Sequence, residues 1–307
     1  MSAIRRILCP TDFSDGSRHA LVYARVIAHR HDATITLFYA RAAPPAIAYA
    51  TGVPMMPSEL TRDSRAEILA AMSQFAAMEA GGDVRVELEI AEGHAAAEIV
   101  AAAATTESDL IVMGTHGRSG FERLVLGSVT EKVLRKASCP VLTVPPRAPD
   151  VLLHAPNLPG RIVCGVDFSD SSMAALKLAL SLAQETDARV TILHVIELPS
   201  GLPSEQRDFV LPAPRLWQDY VAAAEHEARE LLKTAVPESM RGGGKVEAAV
   251  AVGKPYTEIL RVAAAPPADL IVMGVQGRGA ADLLFFGSTA QNVVRQATCP
   301  VLTLRTA

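Results

Sequence analysis

The chain has 307 residues, of which 50% are hydrophobic, 20% charged and 5% aromatic, with a net charge of −4. This length is enough for two domains with cores of ordinary size. The charges are dispersed, so no basic face predicts binding to nucleic acid or to a membrane surface, and the few aromatic residues leave little for stacking on bases. The longest apolar run, near 95–104, is too short for a membrane span, and the N-terminus is not typical of a secretory signal. We therefore expect a cytoplasmic protein.

The first half of the chain alternates short apolar runs with helical patterns. Runs typical of strands lie at 7–11, 34–39, 84–90, 110–113 and 141–144, and the second, fourth and fifth lack polar alternation, as expected for buried strands. Apolar residues at helical spacing predict helices over 16–31, 64–80, 95–105 and 128–136. This order predicts an α/β fold with a mainly parallel, doubly wound sheet and right-handed connections.

The second half repeats the first. The sequence RILCPTDFSD at 6–15 corresponds to RIVCGVDFSD at 161–170, and CPVLT at 139–143 recurs at 299–303. Further strands are predicted near 162–166, 189–195, 246–252, 270–273 and 301–304, with loops at the proline-rich stretches 44–57 and 199–214. We therefore predict two tandem domains, 1–147 and 160–307, joined by a linker at 148–159.

Two glycine loops with the same spacing follow the fourth predicted strand of each half. Gly114-Thr-His-Gly117 is followed after nine residues by Gly127-Ser128, and Gly274-Val-Gln-Gly277 is followed after nine residues by Gly287-Ser288. Doubly wound sheets bind ligands beyond the carboxyl ends of their strands. Glycine lets the backbone approach a ligand, and the helix that follows offers free amides and a positive dipole end. We interpret the repeated pattern as two phosphate-binding sites rather than two structural turns.

Ser128 and Ser288 have two roles open to them. Each could donate its hydroxyl to a phosphate. Each also begins a capping-box pattern, with Glu131 or Gln291 three residues later, in which the serine would close its own helix. The two roles can coexist in different ligand states.

Asp12 and Asp167 end the first predicted strand of each half. A carboxylate at this edge can accept hydrogen bonds from ribose hydroxyls or orient an adenine ring. By itself, each would be a turn or N-cap aspartate, but beside a glycine loop we predict contact with the ligand. Ala40 and Val195, at the end of the second strand, could supply backbone groups to a base.

Within the loops, His116 and Arg118 correspond to Gln276 and Arg278. Each arginine could contact phosphate or face solvent. Because glutamine replaces histidine, a shared catalytic histidine is not expected, and the other histidines form no ligand constellation. The sequence contains no P-loop, no Gly-x-Gly-x-x-Gly after the first strand, no nucleophile elbow and no His-Glu-x-x-His. These patterns favour binding over catalysis.

Taken together, the motifs resemble the universal stress protein family in its tandem two-domain form. The resemblance rests on PTDFS at 10–14, VDFS at 166–169, both glycine loops and both CPVLT endings, and it covers nearly the whole chain. It implies an adenine nucleotide alpha hydrolase-like fold with five parallel strands per domain. It also implies ATP as ligand, with Mg²⁺ or Mn²⁺ held through the phosphates and not by direct protein ligands.

The resemblance and the motifs assign one nucleotide site to each domain. The aspartates would hold the adenosine end, while the loop glycines and serines would hold the phosphates. The residues assigned to the first site are Pro10, Thr11, Asp12, Phe13, Ala40, Met113, Gly114, His116, Gly117, Arg118, Gly127, Ser128, Val129 and Thr130. Those assigned to the second site are Gly165, Val166, Asp167, Phe168, Val195, Met273, Gly274, Gln276, Gly277, Arg278, Gly287, Ser288, Thr289 and Ala290.

The second site departs from the first, because Pro10 and Thr11 become Gly165 and Val166, and the hydroxyl of Thr130 is lost. We expect a stress or signalling protein in which bound ATP changes the conformation and thereby the choice of protein partner. The sequence does not identify that partner. Two alternatives stay open: a slow ATPase in which His116 orients water, and an assembly module without nucleotide. The resemblance also implies pairing of domains through the strands at 141–144 and 301–304, within a chain or in a homodimer.

Overall fold

The computed structural model describes residues 4–41, 62–79, 82–117, 126–146, 148–149, 159–197, 214–240, 244–277 and 286–306. Contacts divide the chain into two compact units, Met1–Leu153 and His154–Ala307, which we call the first and second domains. The loop predicted at 44–57 lies outside the described residues, and so do 199–213 of the second predicted loop. Arg118, Arg278 and most of the predicted linker also lie outside them.

The first domain is a parallel five-stranded sheet with four helices among its described residues. In chain order the elements are β1 (Arg6–Pro10), α1 (Asp15–His31), β2 (Thr34–Arg41), α2 (Arg62–Glu79), β3 (Val86–Glu92), α3 (Ala95–Thr105), β4 (Leu110–Gly114), α4 (Ser128–Lys136) and β5 (Val141–Val144). The strands lie in the order β3-β2-β1-β4-β5, and each recorded pair is parallel. The order reverses between β1 and β4, which is where a doubly wound sheet opens a crevice for a ligand.

The second domain repeats this arrangement. Its elements are β6 (Arg161–Gly165), α5 (Asp170–Thr186), β7 (Arg189–Ile196), α6 (Pro214–Ala235), β8 (Val246–Val252), α7 (Pro255–Ala264), β9 (Leu270–Gly274), α8 (Ser288–Gln296) and β10 (Val301–Leu304). The strand order is β8-β7-β6-β9-β10, again with parallel pairs. The predicted fold of two tandem, doubly wound domains with five-stranded sheets is therefore confirmed.

Each sheet has a buried centre. Ile7, Leu8 and Cys9 of β1 are fully buried, as are Ile111 and Val112 of β4, because helices cover both faces of these strands. Burial raises the pKa of the thiol of Cys9 to about 12, which favours the neutral thiol in the core. Among the described helices, none is long and apolar enough to cross a membrane.

The outer strand of each sheet carries a different charge. β3 pairs with β2 and β8 pairs with β7, so each forms an edge in the strand order of its domain. β3 has the sequence VELEIAE, with three glutamates, whereas β8 has the sequence VEAAVAV, with one.

Some predicted bounds needed correction. β3 lies two residues later than the run at 84–90 suggested, and β2 continues to Arg41. Ala40 and Val195 therefore lie within the second strand of their domains, one residue before its end, and both pair with the outer strand. α6 begins at Pro214, the last residue of the predicted loop at 199–214.

Candidate functional site

A tight turn follows β1 and carries Asp12. The Oδ1 atom of Asp12 accepts hydrogen bonds from the backbone N of Ser14 at 3.0 Å and from its Oγ at 2.5 Å. Ser14 in turn is the N-cap of α1 and accepts from the backbone N of Ser17. Phe13 has a φ of +62°, a left-handed conformation that is unusual for a bulky residue and is held here by the bonds on either side. The turn role of Asp12 is thus present, and it occupies one carboxylate oxygen.

The second domain forms the same turn after β6. Oδ1 of Asp167 accepts from the backbone N of Ser169 at 3.0 Å and from its Oγ at 2.5 Å. Phe168 has a φ of +64°, matching Phe13. The repeated strain at one position indicates that the turn has a fixed shape in both domains.

The glycine loop lies against this turn. A Cβ atom added to Gly117 would lie 2.6 Å from Oδ2 of Asp12, and one added to Gly277 would lie 2.8 Å from Oδ2 of Asp167. The loop backbone and the second carboxylate oxygen are therefore neighbours in each domain. Residues predicted from separate motifs are brought to one edge of the sheet.

Each loop also packs closely on the N-terminal turn of the first helix of its domain. A Cβ atom on Gly114 would lie 2.8 Å from the carbonyl oxygen of Gly16, and one on Gly274 would lie 2.8 Å from the backbone N of Ser172. A side chain at either position would have to push the backbone apart. Glycine is needed there for close packing within the protein as well as for any approach to a ligand.

The helix after each loop is capped by glycine, not by serine. Gly127 is the N-cap of α4 and Gly287 is the N-cap of α8, and neither helix has a side-chain cap bond. The capping-box prediction for Ser128 and Ser288 is therefore wrong. The reason is that the backbone N of Gly127 donates to the carbonyl of Thr115 at 2.9 Å, which fixes the start of the helix one residue before the serine.

Both serines are the first residues of their helices and both are exposed. The amides of the first helical turn have no partner within a helix, so this end can receive an anion. Val129 follows Ser128, and Thr289 follows Ser288, in this first turn.

Thr130 ties the helix to the strand before the loop. Its Oγ1 donates to the carbonyl of Gly114 at 3.0 Å, and the residue is buried. Ala290 occupies the same place in the second domain, also buried, without a hydroxyl. The hydroxyl of Thr130 therefore donates to the backbone of the glycine loop, and the second domain lacks this bond.

The imidazole of His116 has one hydrogen-bonded and one buried nitrogen. Its Nδ1 lies 2.9 Å from Oγ1 of Thr115, and its Nε2 is buried without a hydrogen-bond partner in the described part of the chain. A group that orients water needs an accessible nitrogen. This arrangement gives no support to His116 as the water-orienting group of an ATPase.

In the second domain, the turn, the loop and the helix end surround a cavity of about 720 Å³. This volume falls in the range of small-molecule and cofactor sites. Every residue predicted for the second site lines it except Arg278, which is not described: Gly165, Val166, Asp167, Phe168, Val195, Met273, Gly274, Gln276, Gly277, Gly287, Ser288, Thr289 and Ala290.

The cavity also has a wall that the sequence analysis missed. Helix α6 contributes Tyr220, Ala224, Glu227, Ala228 and Leu231, at a spacing that places them on one side of the helix. The apolar periodicity of this helix was a usable signal, but nothing in the sequence connected it with the glycine loop.

His194 of β7 also lines the cavity, although the sequence predicts no ligand role for this histidine. Its Nδ1 lies 2.8 Å from the carbonyl oxygen of Val166, and its ring lies 4.8 Å from the ring of Phe168, centroid to centroid. A lone histidine within a strand gives no local signal of such contacts.

The charged residues that line the cavity are acidic. They are Asp167, Glu197 and Glu227, and no lysine or arginine lines it among the described residues. Nor do the described residues contain a group of three or more His, Cys, Asp or Glu side chains that could hold a metal ion. An anion in this cavity would rely on backbone amides and the helix end.

Comparisons with known proteins agree with this architecture. The family model described as Universal stress protein family matches twice, at residues 3–145 and 159–305. A universal stress protein of Mycolicibacterium smegmatis is 27% identical over 304 residues, which cover 97% of this chain and 96% of that protein. One of Methanocaldococcus jannaschii is 40% identical over 141 residues, 46% of this chain and 81% of the relative. A crystal structure of a universal stress protein from Archaeoglobus fulgidus, 22% identical, covers 100% of both chains with a TM-score of 0.67 and so shares the fold.

Proposed function

Since this chain belongs to the universal stress protein family, we propose that it binds ATP at one site in each domain. The observation that carries the proposal is the cavity of about 720 Å³ in the second domain. Its lining comes from the turn after β6, the end of β7, the glycine loop and the start of α8, which are the segments that the motifs predicted for a nucleotide.

The two ends of the nucleotide would meet different chemistry. The phosphates would lie at the first turn of α4 or α8, where free amides and the positive end of the helix dipole favour anions. Ser128 and Ser288, exposed at the first helical position, would add hydroxyl donors. The arginines Arg118 and Arg278 remain predicted phosphate contacts.

The adenosine end would lie at the turn and the second strand. Asp167 lines the cavity of the second domain, so a ribose hydroxyl there could donate to its carboxylate. We propose the same role for Asp12 in the first domain, where the loop lies equally close to the carboxylate. Mg²⁺ or Mn²⁺ would be held by the phosphate oxygens and water. Such binding suits magnesium, which keeps several waters and commonly bridges substrate phosphates.

We propose binding rather than rapid hydrolysis as the activity. The first loop holds His116 with one nitrogen bonded to Thr115 and the other buried, and the second loop has Gln276 instead. Within the family assignment, the biological role would be cytoplasmic stress response or signalling, in which bound ATP changes the exposed surface and the protein partner. A homodimer paired through β5 and β10 belongs to the same proposal.

The test is to purify the full chain, denature it and measure the released nucleotide by chromatography and mass spectrometry. We expect about two adenine nucleotides per chain, or uptake of about two when ATP and magnesium are added, since each domain has one site. A variant in which both helix-start serines become glutamate, S128E/S288E, provides the matched control. Glutamate suits the first turn of a helix but repels phosphate.

Three outcomes separate the alternatives. Nucleotide in the wild type and none in the folded double variant supports the proposal. Release of mostly ADP, with turnover that falls on His116→Ala, would replace it with the ATPase alternative. If neither release nor uptake occurs in the folded wild type, the proposal is wrong and the loops are structural.

A further inference from the structure

The second strands of the two domains carry different rings at one equivalent position. β2 carries Tyr39 and β7 carries His194 at equivalent places, each paired with the outer strand of its domain. Tyr39 packs against Phe13 with ring centroids 5.2 Å apart, and His194 packs against Phe168 at 4.8 Å. The ring therefore has the same neighbour in both domains, while its hydrogen-bonding chemistry differs.

The contacts of His194 determine which of its nitrogens carries the proton. Nδ1 lies 2.8 Å from the carbonyl oxygen of Val166, and a carbonyl oxygen only accepts hydrogen bonds. In the neutral ring, Nδ1 must therefore be the donor, and Nε2 is left with a lone pair. The ring of Phe168, tilted by 40° to the imidazole, packs beside it and limits its rotation.

The Nε2 atom is thus an acceptor on a residue that lines the cavity. His194 lines the cavity beside Leu193 and Val195, at the carboxyl end of β7. Among the described residues none makes a hydrogen bond with Nε2. The charged residues lining the same space, Asp167, Glu197 and Glu227, also accept but do not donate hydrogen bonds when ionised. This side of the cavity calls for a ligand that brings hydrogen-bond donors.

We propose that His194 sets the base specificity of the second site by accepting a hydrogen bond from an exocyclic amino group. The inference rests on the proposed function, because it takes the ligand to be a nucleotide. A base with a 6-amino group satisfies the acceptor, whereas a 6-keto base sets a carbonyl against it. Tyrosine at the equivalent position of the first domain can both donate and accept, so the first site discriminates less.

The probes are ATP and ITP, which differ in the 6-amino and 6-keto groups. Binding is measured by calorimetry with magnesium on the full chain carrying S128E. Because the added glutamate blocks the first site, the measured binding reports on the second site. We expect ATP to bind more tightly than ITP. His194→Asn keeps a hydrogen-bond donor near the carbonyl of Val166 but removes the acceptor that Nε2 provides. The ratio of ATP to ITP affinity should therefore fall by about 3- to 10-fold, which corresponds to one hydrogen bond. His194→Gln can place an oxygen near the position of Nε2, and it should restore part of the preference for ATP over ITP.

The reverse exchange tests whether a histidine at the equivalent position of the first site creates the preference for ATP. In the S288E chain, which reads the first site alone, Tyr39→His should increase the preference for ATP over ITP. If His194→Asn binds both nucleotides and keeps the parent preference, the inference is wrong while nucleotide binding stands. If the folded S128E parent binds neither nucleotide, the proposed function of the second site fails and the inference falls with it.

Discussion

The turns after β1 and β6 follow the same course but are held by different hydrogen bonds. In the first domain, Oγ1 of Thr11 accepts from the backbone N of Phe13 at 3.0 Å and lies 3.1 Å from Oγ of Ser17. In the second domain Val166 replaces the threonine, and the backbone N of Asp167 donates to Oγ of Ser172 at 3.3 Å. The backbone shape is thus kept while the side chains that hold it are exchanged.

The glycine loops differ in the same way. Thr130 bonds to the carbonyl of Gly114 in the first domain, and Ala290 replaces it in the second. There Ser171, in place of Gly16, donates its hydroxyl to the carbonyl of Gln276. Repeats of one fold can therefore keep the course of the backbone while the polar bonds around a turn and a loop diverge. Paired substitutions can measure what each bond contributes.

The largest effect is expected from a charge placed at one helix start. Ser128→Glu should weaken ATP binding at the first site by about 100-fold or more, because two unit charges about 4 Å apart near a protein surface repel by about 4 kcal/mol. Ser288→Glu should do the same to the second site alone. Each single variant should release one nucleotide per chain where the wild type releases two.

Thermal unfolding monitored by circular dichroism provides the control for folding. Both glutamates lie at the positive end of a helix, so neither variant should melt earlier than the unliganded wild type. Equal loss from both sites in either single variant would contradict the idea of two independent sites.

The next effect concerns the turn. Thr11→Val gives the first domain the residue of the second, and leaves the backbone N of Phe13 without its acceptor. We expect a loss of about 1–3 kcal/mol in the free energy of unfolding, seen as a lower urea midpoint. The matched exchange, Val166→Thr, should change stability by less than about 1 kcal/mol, because Ser172 already holds that turn. If the two exchanges have equal effects, the two turns are not held differently.

The smallest effect is expected at the strand-to-helix bond. Thr130→Ala should cost about 1 kcal/mol, the net value of one hydrogen bond in a buried setting. Ala290→Thr offers the missing bond to Gly274 and should stabilise the second domain slightly if the buried position admits the extra atoms. Urea midpoints of the two variants, each compared with the wild type, should shift in opposite directions. An unchanged midpoint for Thr130→Ala would show that this bond contributes nothing.

Much of the fold could be predicted because its signals are local and repeated. The bounds of α3, α4 and β5 matched the apolar pattern to the residue, since buried strands and amphipathic helices leave continuous or periodic apolar runs. The glycine loops were likewise found from their spacing, which recurs in both halves.

The features that the sequence did not predict depend on contacts between residues distant in sequence. The serine capping box failed because Gly127 is bonded to Thr115, a residue twelve positions earlier that no capping rule includes. His194 escaped notice because its partner Val166 is 28 residues away. The wall supplied by α6 depends on how that helix packs on β7 and β8, which the sequence of the helix does not state.

The unequal charge of the outer strands has a practical consequence for handling the protein. An exposed strand edge can pair with another chain, and natural sheets oppose this with charged side chains. β3 has three glutamates and β8 has one, so β8 is less protected against pairing with another chain. In a concentrated sample, a lysine in place of the exposed Ala248 of β8 should improve solubility, and this residue does not line the cavity of the second domain.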